Sequence, residues 1–222
     1  KSIIDGNLDD DKLIQFVEVA QDTYIQTQLG TKLYESLSKA TREDTPWEYF
    51  TIGQVLTQEQ IQEIKRADID RADVLHDGTR SGYKDGVAKQ NDKFREYVTK
   101  ENWRKYPELT NLIKELQSEP IREMIAKMVG NDNNFEGSYV RLEVLNDTQG
   151  FWLKPHCDIP EKLISSLIYI NDTAEDISLG TDLYNEQLEL KHTVPFWHNF
   201  GYIFHGPNKW HGMEKGKSIR TE

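Results

Sequence analysis

The sequence predicts an α+β protein: a double-stranded β-helix, or jelly-roll barrel, with helices packed on one side and an N-terminal helical extension. Up to about residue 135, apolar residues recur mostly at helical spacing. From Tyr139 onward, short alternating segments are separated by turn residues such as Asn146-Asp147. At 222 residues the chain is long enough for one well-buried core but not for two full domains. A single barrel domain covered by helices is therefore expected.

The helical half is predicted to divide near residue 44, giving an N-terminal helical extension at residues 1–44 and a main jelly-roll domain at residues 45–222. In the extension, a broad apolar stripe begins after residue 9, Gly30 ends that helix, and Thr31 starts a short second one. In the main domain, residues 47–52 suggest a strand, and Thr57 with Gln60 forms a capping box for a helix at residues 58–72. Further helices are expected at residues 91–102 and 108–129, the second broken near Ser118.

The second half is predicted to consist of strands. They are expected at residues 139–145, 151–156, 163–170, 188–192, 199–204 and around 219. The polar, glycine-rich stretch at residues 73–90 is a candidate lid.

The chemistry of the chain is indicated by His156-Cys157-Asp158, which is followed 53 positions after Asp158 by His211. On a strand, alternate side chains share a face, so His156 and Asp158 are expected to point the same way. A third ligand from a distant strand would complete a 2-His-1-carboxylate triad, which suits non-haem Fe(II) because coordination positions stay open. Four of the six histidines lie between residues 192 and 211, and His205 is the main alternative to His211.

The segment from residue 138 to residue 220 resembles the core of the Fe(II)- and 2-oxoglutarate-dependent oxygenases, most closely the prolyl-hydroxylase-like branch. The resemblance rests on His156-Cys-Asp158, on Trp210-His211-Gly and on Arg220 nine residues later. It implies a dioxygenase that binds iron through His156, Asp158 and His211 and uses 2-oxoglutarate and O₂ to hydroxylate a substrate, with release of succinate and CO₂.

The resemblance also implies a co-substrate site. Arg220 is expected to pair with the far carboxylate of 2-oxoglutarate, since a guanidinium offers a planar two-donor fork. Tyr169, in Leu-Ile-Tyr-Ile-Asn, matches a tyrosine that hydrogen-bonds the same carboxylate, although packing in the core is an equally good interpretation. Lys217 is an alternative anchor, but an exposed turn lysine is the simpler interpretation.

Candidate substrate contacts follow from strand parity. Trp152 and Lys154 share the face of His156 if that strand is regular, whereas a bulge at Pro155 would turn both outward. Thr181, in Leu179-Gly-Thr-Asp-Leu-Tyr184, is expected near the pocket.

Composition limits the partners. The formal net charge of −11 disfavours nucleic acid, and no apolar run is long enough to span a membrane. The single cysteine, Cys157, and the absence of signal-like basic and apolar regions at the start favour the cytoplasm. The substrate is expected to be a small molecule or a peptide.

A second class of function starts from the extension. Residues 3–37 faintly resemble the helical start of some bacteriophage head-tail connector proteins. This resemblance implies self-association or a phage-structural contact through residues 1–44, and with it the alternative of a catalytically inactive jelly-roll or assembly protein.

Overall fold

The computed structural model describes residues 30–69, 76–79, 83–84, 87–88, 95–133, 135–148, 150–171 and 177–217. Within these ranges the protein is α+β. The helices are α1 (Lys32–Ser38), α2 (Gln58–Lys65), α3 (Pro107–Leu116) and α4 (Glu119–Val129), with a short 3₁₀ helix at Ile177–Leu179. In the described part of the chain, no helix combines the length and the apolar character needed to cross a membrane.

The strands pair antiparallel in every described ladder. In chain order they are β1 (Thr41–Glu43), β2 (Tyr49–Gly53), β3 (Tyr83–Lys84), β4 (Val87–Ala88), β5 (Arg95–Val98), β6 (Leu142–Leu145), β7 (Leu153–His156), β8 (Ile164–Tyr169), β9 (Asp182–Tyr184), β10 (Leu190–Thr193), β11 (Phe200–His205) and β12 (His211–Met213). They form two four-stranded sheets, β1-β2-β11-β8 and β10-β9-β12-β7, and the hairpins β3-β4 and β5-β6.

The helices cover one face of the sheet β1-β2-β11-β8. Leu33 and Leu37 of α1 are buried in one cluster with Leu109 of α3, Ile121 of α4 and Ile52 of β2. Burial of side chains of this size contributes about 1.5–3 kcal/mol each relative to exposure. The helices therefore pack on the face of this sheet that points away from the second sheet.

The opposite face of that sheet meets the second sheet. Tyr169, Tyr202 and Phe204 from the first sheet are buried together with Leu183 of β9 and with Val194, which follows β10. Side chains alternate across a strand, so one face of β8 and β11 serves the helices and the other faces the second sheet. The metal-ligand candidates lie on β7 and β12 of that second sheet or next to it.

Most predicted elements are confirmed where the structure describes them. Thr31 caps α1, both hydrogen bonds of the capping box of Thr57 and Gln60 are present at α2, and the helix predicted at residues 108–129 is interrupted near Ser118. Strands overlap the predictions at residues 47–52, 139–145, 151–156, 163–170, 188–192 and 199–204.

Two helix predictions need correction. The helix expected at residues 91–102 is wrong over its described part, because residues 95–98 form β5 and pair with β6. That pairing buries Val98, and tertiary pairing outweighs local propensity in such a short segment. Helix α2 ends at Lys65 and not at residue 72, with Arg66 as its C-cap.

Predictions on the extension are only partly within the described residues. The helix expected after residue 9 lies outside them, as do the strand around residue 219 and much of the stretch 73–90. The described end of the extension packs on the main domain: Ser36 of α1 donates to the Gly53 carbonyl at 2.8 Å, and β1 pairs with β2.

Candidate metal centre

Three side chains that the sequence singled out come together at one end of β7 and β12. His156 closes β7 and faces His211, the first residue of β12, as its register partner, and Asp158 follows two residues later. One ligand atom from each of His156, Asp158 and His211 lies within 4.8 Å of the other two. The sheet pairing therefore gathers two imidazoles and one carboxylate around a common point.

Both histidines are held in the same orientation by the backbone carbonyl two residues before them. His156 Nδ1 lies 3.0 Å from the Lys154 carbonyl, and His211 Nδ1 lies 2.8 Å from the Lys209 carbonyl. A carbonyl oxygen only accepts, so each Nδ1 carries a proton, and in the neutral imidazole Nε2 is the nitrogen with the free lone pair. A backbone carbonyl behind a ligating imidazole fixes the ring and its tautomer, which is the arrangement that metal-binding histidines require.

Asp158 is held by two hydrogen-bond donors. The Lys162 ammonium donates to Oδ1 at 2.6 Å, and the Ser165 hydroxyl donates to Oδ2 at 2.5 Å. Burial by itself raises the pKa of Asp158, but the hydrogen bonds from Lys162 and Ser165 outweigh it and leave the pKa below its ordinary value. The carboxylate is therefore ionised and ready to bind a cation.

His211 lies deeper than His156. It is buried beside Phe204, with ring centroids 5.3 Å apart, and its ring centroid is 4.3 Å from that of His156. Burial, followed by the neighbouring His156, lowers the pKa of His211 to about 4. The imidazole is therefore neutral near pH 7, as a metal ligand must be.

The triad opens onto a large cleft. His156, Asp158 and His211 line it together with side chains from β6, β8 and the second sheet, and its volume is about 2460 Å³. The site therefore combines one buried and two half-buried candidate ligands with access for a second molecule.

Comparison with known proteins does not identify a family. No protein-family model matches the chain, and no curated protein matches it. The chemistry of the site is therefore inferred from its own residues.

His205, the alternative third ligand, lies elsewhere. It ends β11, pairs in register with Ile164, and its ring packs against Phe135 with centroids 5.9 Å apart. The histidine that lies next to His156 and Asp158 is His211.

Tyr169 and Thr181 lie next to each other between the sheets. The Tyr169 hydroxyl donates to Thr181 Oγ1 at 2.7 Å and accepts from the Thr181 backbone N–H at 3.0 Å. Burial raises the pKa of Tyr169 well above its ordinary value, so the phenol stays neutral. Both residues line the cleft.

Trp152 and Lys154 are not among the residues that line the cleft. The β7–β12 register shifts between His211–His156 and Met213–Leu153, so two residues of β7 face one of β12. The bulge breaks the regular alternation and brings Leu153 to the cleft instead. The regular strand assumed for that prediction is therefore not found, whereas the substrate role of Trp152 and Lys154 stays a prediction. Trp152 donates to the His76 carbonyl at 3.1 Å, and the backbone N–H of Lys154 donates to the Gly78 carbonyl at 3.0 Å.

Arg220 lies outside the described residues, so its expected role stays a prediction. The interpretation of Lys217 as an exposed turn lysine is wrong. Its side chain is only 20% exposed, and its ammonium pairs with the fully buried carboxylate of Asp182. Asp182 also accepts from the Thr193 hydroxyl at 2.6 Å and from the Glu214 backbone N–H at 2.8 Å.

Sequence reasoning missed the residues that hold the ligands. Ser165, Lys162 and Asp182 were not singled out, because their partners are set by loop geometry and by strand pairing. The spacing of Lys162 four residues after Asp158 is the one local signal that could have found a member of this group.

Proposed function

We propose that this protein is an Fe(II)- and 2-oxoglutarate-dependent dioxygenase that hydroxylates a small molecule or a peptide residue. The observation that carries the proposal is the cluster of His156, Asp158 and His211, whose ligand atoms lie within 4.8 Å of one another. Two imidazole nitrogens and one carboxylate oxygen match the facial triad of non-haem Fe(II) oxygenases.

The donor set fits this metal on its own chemistry. Each histidine offers Nε2 because Nδ1 is committed to a backbone carbonyl. Asp158 keeps acceptor capacity beyond its bonds to Lys162 and Ser165, since two carboxylate oxygens offer about four lone-pair sites. Iron held there would supply the activation of O₂ and the oxidation of a C–H bond, with 2-oxoglutarate as the co-substrate.

The residues around the triad would orient and shield the ligands. Phe204 packs against His211, and Ser165 and Lys162 fix the carboxylate of Asp158. Burial of His211 keeps its imidazole unprotonated. These contacts would hold the ligands in place before any metal arrives, which lowers the cost of ordering them on binding.

Thr181 is a better candidate than Tyr169 for a donor to the co-substrate. The Tyr169 O–H is already donated to Thr181 Oγ1, whereas the O–H of Thr181 donates to no acceptor within the described part of the chain. Tyr169 would then act by orienting Thr181. Arg220 remains the proposed partner of the far carboxylate on the strength of the sequence resemblance.

The jelly-roll architecture is part of the same proposal. The chain passes repeatedly between the two four-stranded sheets: β7, β9, β10 and β12 belong to one sheet and β8 and β11 to the other. The buried cluster between the sheets draws residues from both. Two facing antiparallel sheets of this kind favour a double-stranded β-helix with the metal at its open end.

The proposal is tested by turnover of the co-substrate. Purified protein with Fe(II), 2-oxoglutarate and O₂ is expected to form succinate slowly without a primary substrate, and His156→Ala is expected to abolish that reaction. His205→Ala is the matched control, because it removes a nearby histidine outside the cluster. Succinate formation that is equal in wild type and His156→Ala would contradict the proposal.

A further inference from the structure

A second polar cluster lies on the hairpin of β5 and β6. The register pairs Tyr97 with Glu143 and Arg95 with Leu145, so the side chains of Arg95, Tyr97 and Glu143 lie on one face of the hairpin. Arg141, two residues before Glu143, joins them: its guanidinium carbon lies 5.9 Å from the centre of the Tyr97 ring.

The cluster carries more positive than negative charge. Arg95 Nη1 lies 2.7 Å from Glu143 Oε2, and Arg141 Nη2 lies 3.7 Å from Glu143 Oε1. In the described ranges, no other carboxylate lies within 4.0 Å of either guanidinium. One carboxylate therefore faces two permanent cations, in a chain whose net charge is −11.

Both guanidiniums have unused donors. The Arg95 side chain is only 12% exposed, and its Nε is buried without a hydrogen-bond acceptor among the described residues. Arg141 is 45% exposed, and its contact with Glu143 at 3.7 Å is too long for a hydrogen bond. A buried donor without an acceptor is unfavourable, so an acceptor supplied by a bound group would be favoured at this position.

The cluster and the metal centre share one cleft. Arg95, Arg141 and Glu143 line it together with His156 and Asp158. Asn146, Thr148 and Phe151, on the connection from β6 to β7, also belong to the wall of this cleft. A molecule that extends along this wall would reach both places.

We propose that Arg95 and Arg141 form a subsite for an oxyanion, a carboxylate or a phosphate, carried by the substrate of the metal centre. The assignment to a substrate rests on the proposed oxygenase function. A guanidinium fork binds either oxyanion through charge-assisted hydrogen bonds, and Glu143 with Tyr97 holds Arg95 in place for that contact. Tyr97 also supports Arg141 through the face of its ring.

The test is an NMR titration of the arginine Nε–H groups of the full chain with inorganic phosphate and, separately, with acetate. We expect a saturable shift of the Arg95 and Arg141 signals at millimolar concentration. Arg141→Gln is expected to weaken that binding about tenfold or more, because it removes a charge-assisted contact from an exposed position. Arg42→Gln is the matched control: Arg42 is also partly exposed and paired with carboxylates, those of Asp44 and Glu48.

The stronger of the two anions identifies the oxyanion. Absence of a saturable shift, or equal binding in Arg141→Gln and wild type, would overturn the subsite. The assay needs no metal, so its result is independent of the oxygenase proposal. Oxyanion binding in a protein that fails to bind Fe(II) would leave the subsite standing and remove the oxygenase.

Discussion

The carboxylate of Asp158 is the one anionic member of the proposed metal site. Asp158→Asn keeps the shape of the side chain but removes the charge that faces the cation. We expect affinity for Fe(II), or for Co(II) as a stable substitute, to fall by more than about 100-fold, which exceeds the effect usual for residues behind a ligand. Calorimetric titration of the metal measures this, with the exposed Asp132→Asn as control. Equal affinities of Asp158→Asn and wild type would exclude Asp158 as a ligand.

Ser165 donates a hydrogen bond to the carboxylate of Asp158 without being one of the proposed metal ligands. Ser165→Ala removes the hydrogen bond to Asp158 Oδ2, and loss of such a partner weakens metal binding about 10- to 100-fold. The neighbouring Ser166→Ala is the matched control, because Ser166 is exposed and its side chain makes no hydrogen bond to the triad among the described residues. A Ser165→Ala variant that binds metal as tightly as Ser166→Ala would show that this hydrogen bond does not orient the ligand.

The pH dependence of stability is set in part by His211. Its pKa is lowered to about 4 by burial and by His156, whereas an unfolded histidine titrates near pH 6.5. Between these values the unfolded chain binds more protons than the folded one, so acidification destabilises the fold. We expect the free energy of unfolding of the metal-free protein to fall by on the order of 3 kcal/mol between pH 7 and pH 4.

Urea unfolding in the presence of a chelator measures this dependence. His211→Gln is expected to flatten the decrease between about pH 6.5 and pH 4, because the titrating group is gone. The lowered pKa of Asp158 adds a further loss of stability only below about pH 4, where the unfolded carboxyl takes up its proton. An unchanged slope in His211→Gln would show that His211 titrates normally in the folded protein.

The triad could be predicted from the sequence because its residues lie on or beside paired strands with a known period. Spacing and the Trp-His-Gly context favoured His211 over His205, and the structure brings His211 to the cluster. Trp152 and Lys154 could not be placed in the same way, because the bulge in β7 depends on how β12 pairs with it. Lys217 and Asp182 are 35 residues apart in the chain, so no local sequence pattern reveals that they form an ion pair.

At the scale of single elements, β12 carries His211 and depends on β9. Asp182 pairs with Gly212, and its carboxylate binds the Glu214 backbone and the Lys217 ammonium. Asp182→Asn leaves a partly buried ammonium without its counter-charge, so we expect a loss of stability of about 3–5 kcal/mol. Asp44→Asn, which breaks the exposed pair with Arg42, is expected to cost less than about 1 kcal/mol.

Urea unfolding at neutral pH compares the two variants. A small effect of Asp182→Asn, similar to that of Asp44→Asn, would show that the buried pair contributes little to the attachment of the segment after β12.

Helices and strands with strong local signals were predictable, and those set by pairing were not. The capping box at Thr57 and the break near Ser118 act through neighbouring residues, and both are found. Residues 95–98 combine Arg, Glu, Tyr and Val, a composition without a clear period, and only the partner β6 makes them a strand.

For the whole molecule, the change from helical to alternating apolar spacing along the chain predicted an α+β fold, and the structure confirms that class. Closure of the two sheets into a jelly roll depends on many distant pairings, and it remains a proposal. The described part of the predicted extension packs on the main domain, with Leu33 and Leu37 in its core. The net charge of −11 gave no hint of the cationic pair Arg95 and Arg141, because a sum over the chain hides local arrangement.

The most direct test of the proposed metal centre is an anaerobic titration of metal-free protein with Fe(II) and then with 2-oxoglutarate, followed by visible absorption. We expect the weak charge-transfer band of the chelate in wild type and in His205→Ala, and its loss in His211→Ala. Folded protein that binds neither Fe(II) nor 2-oxoglutarate, or a band that survives in His211→Ala, would contradict the assignment of His156, Asp158 and His211 as the iron site.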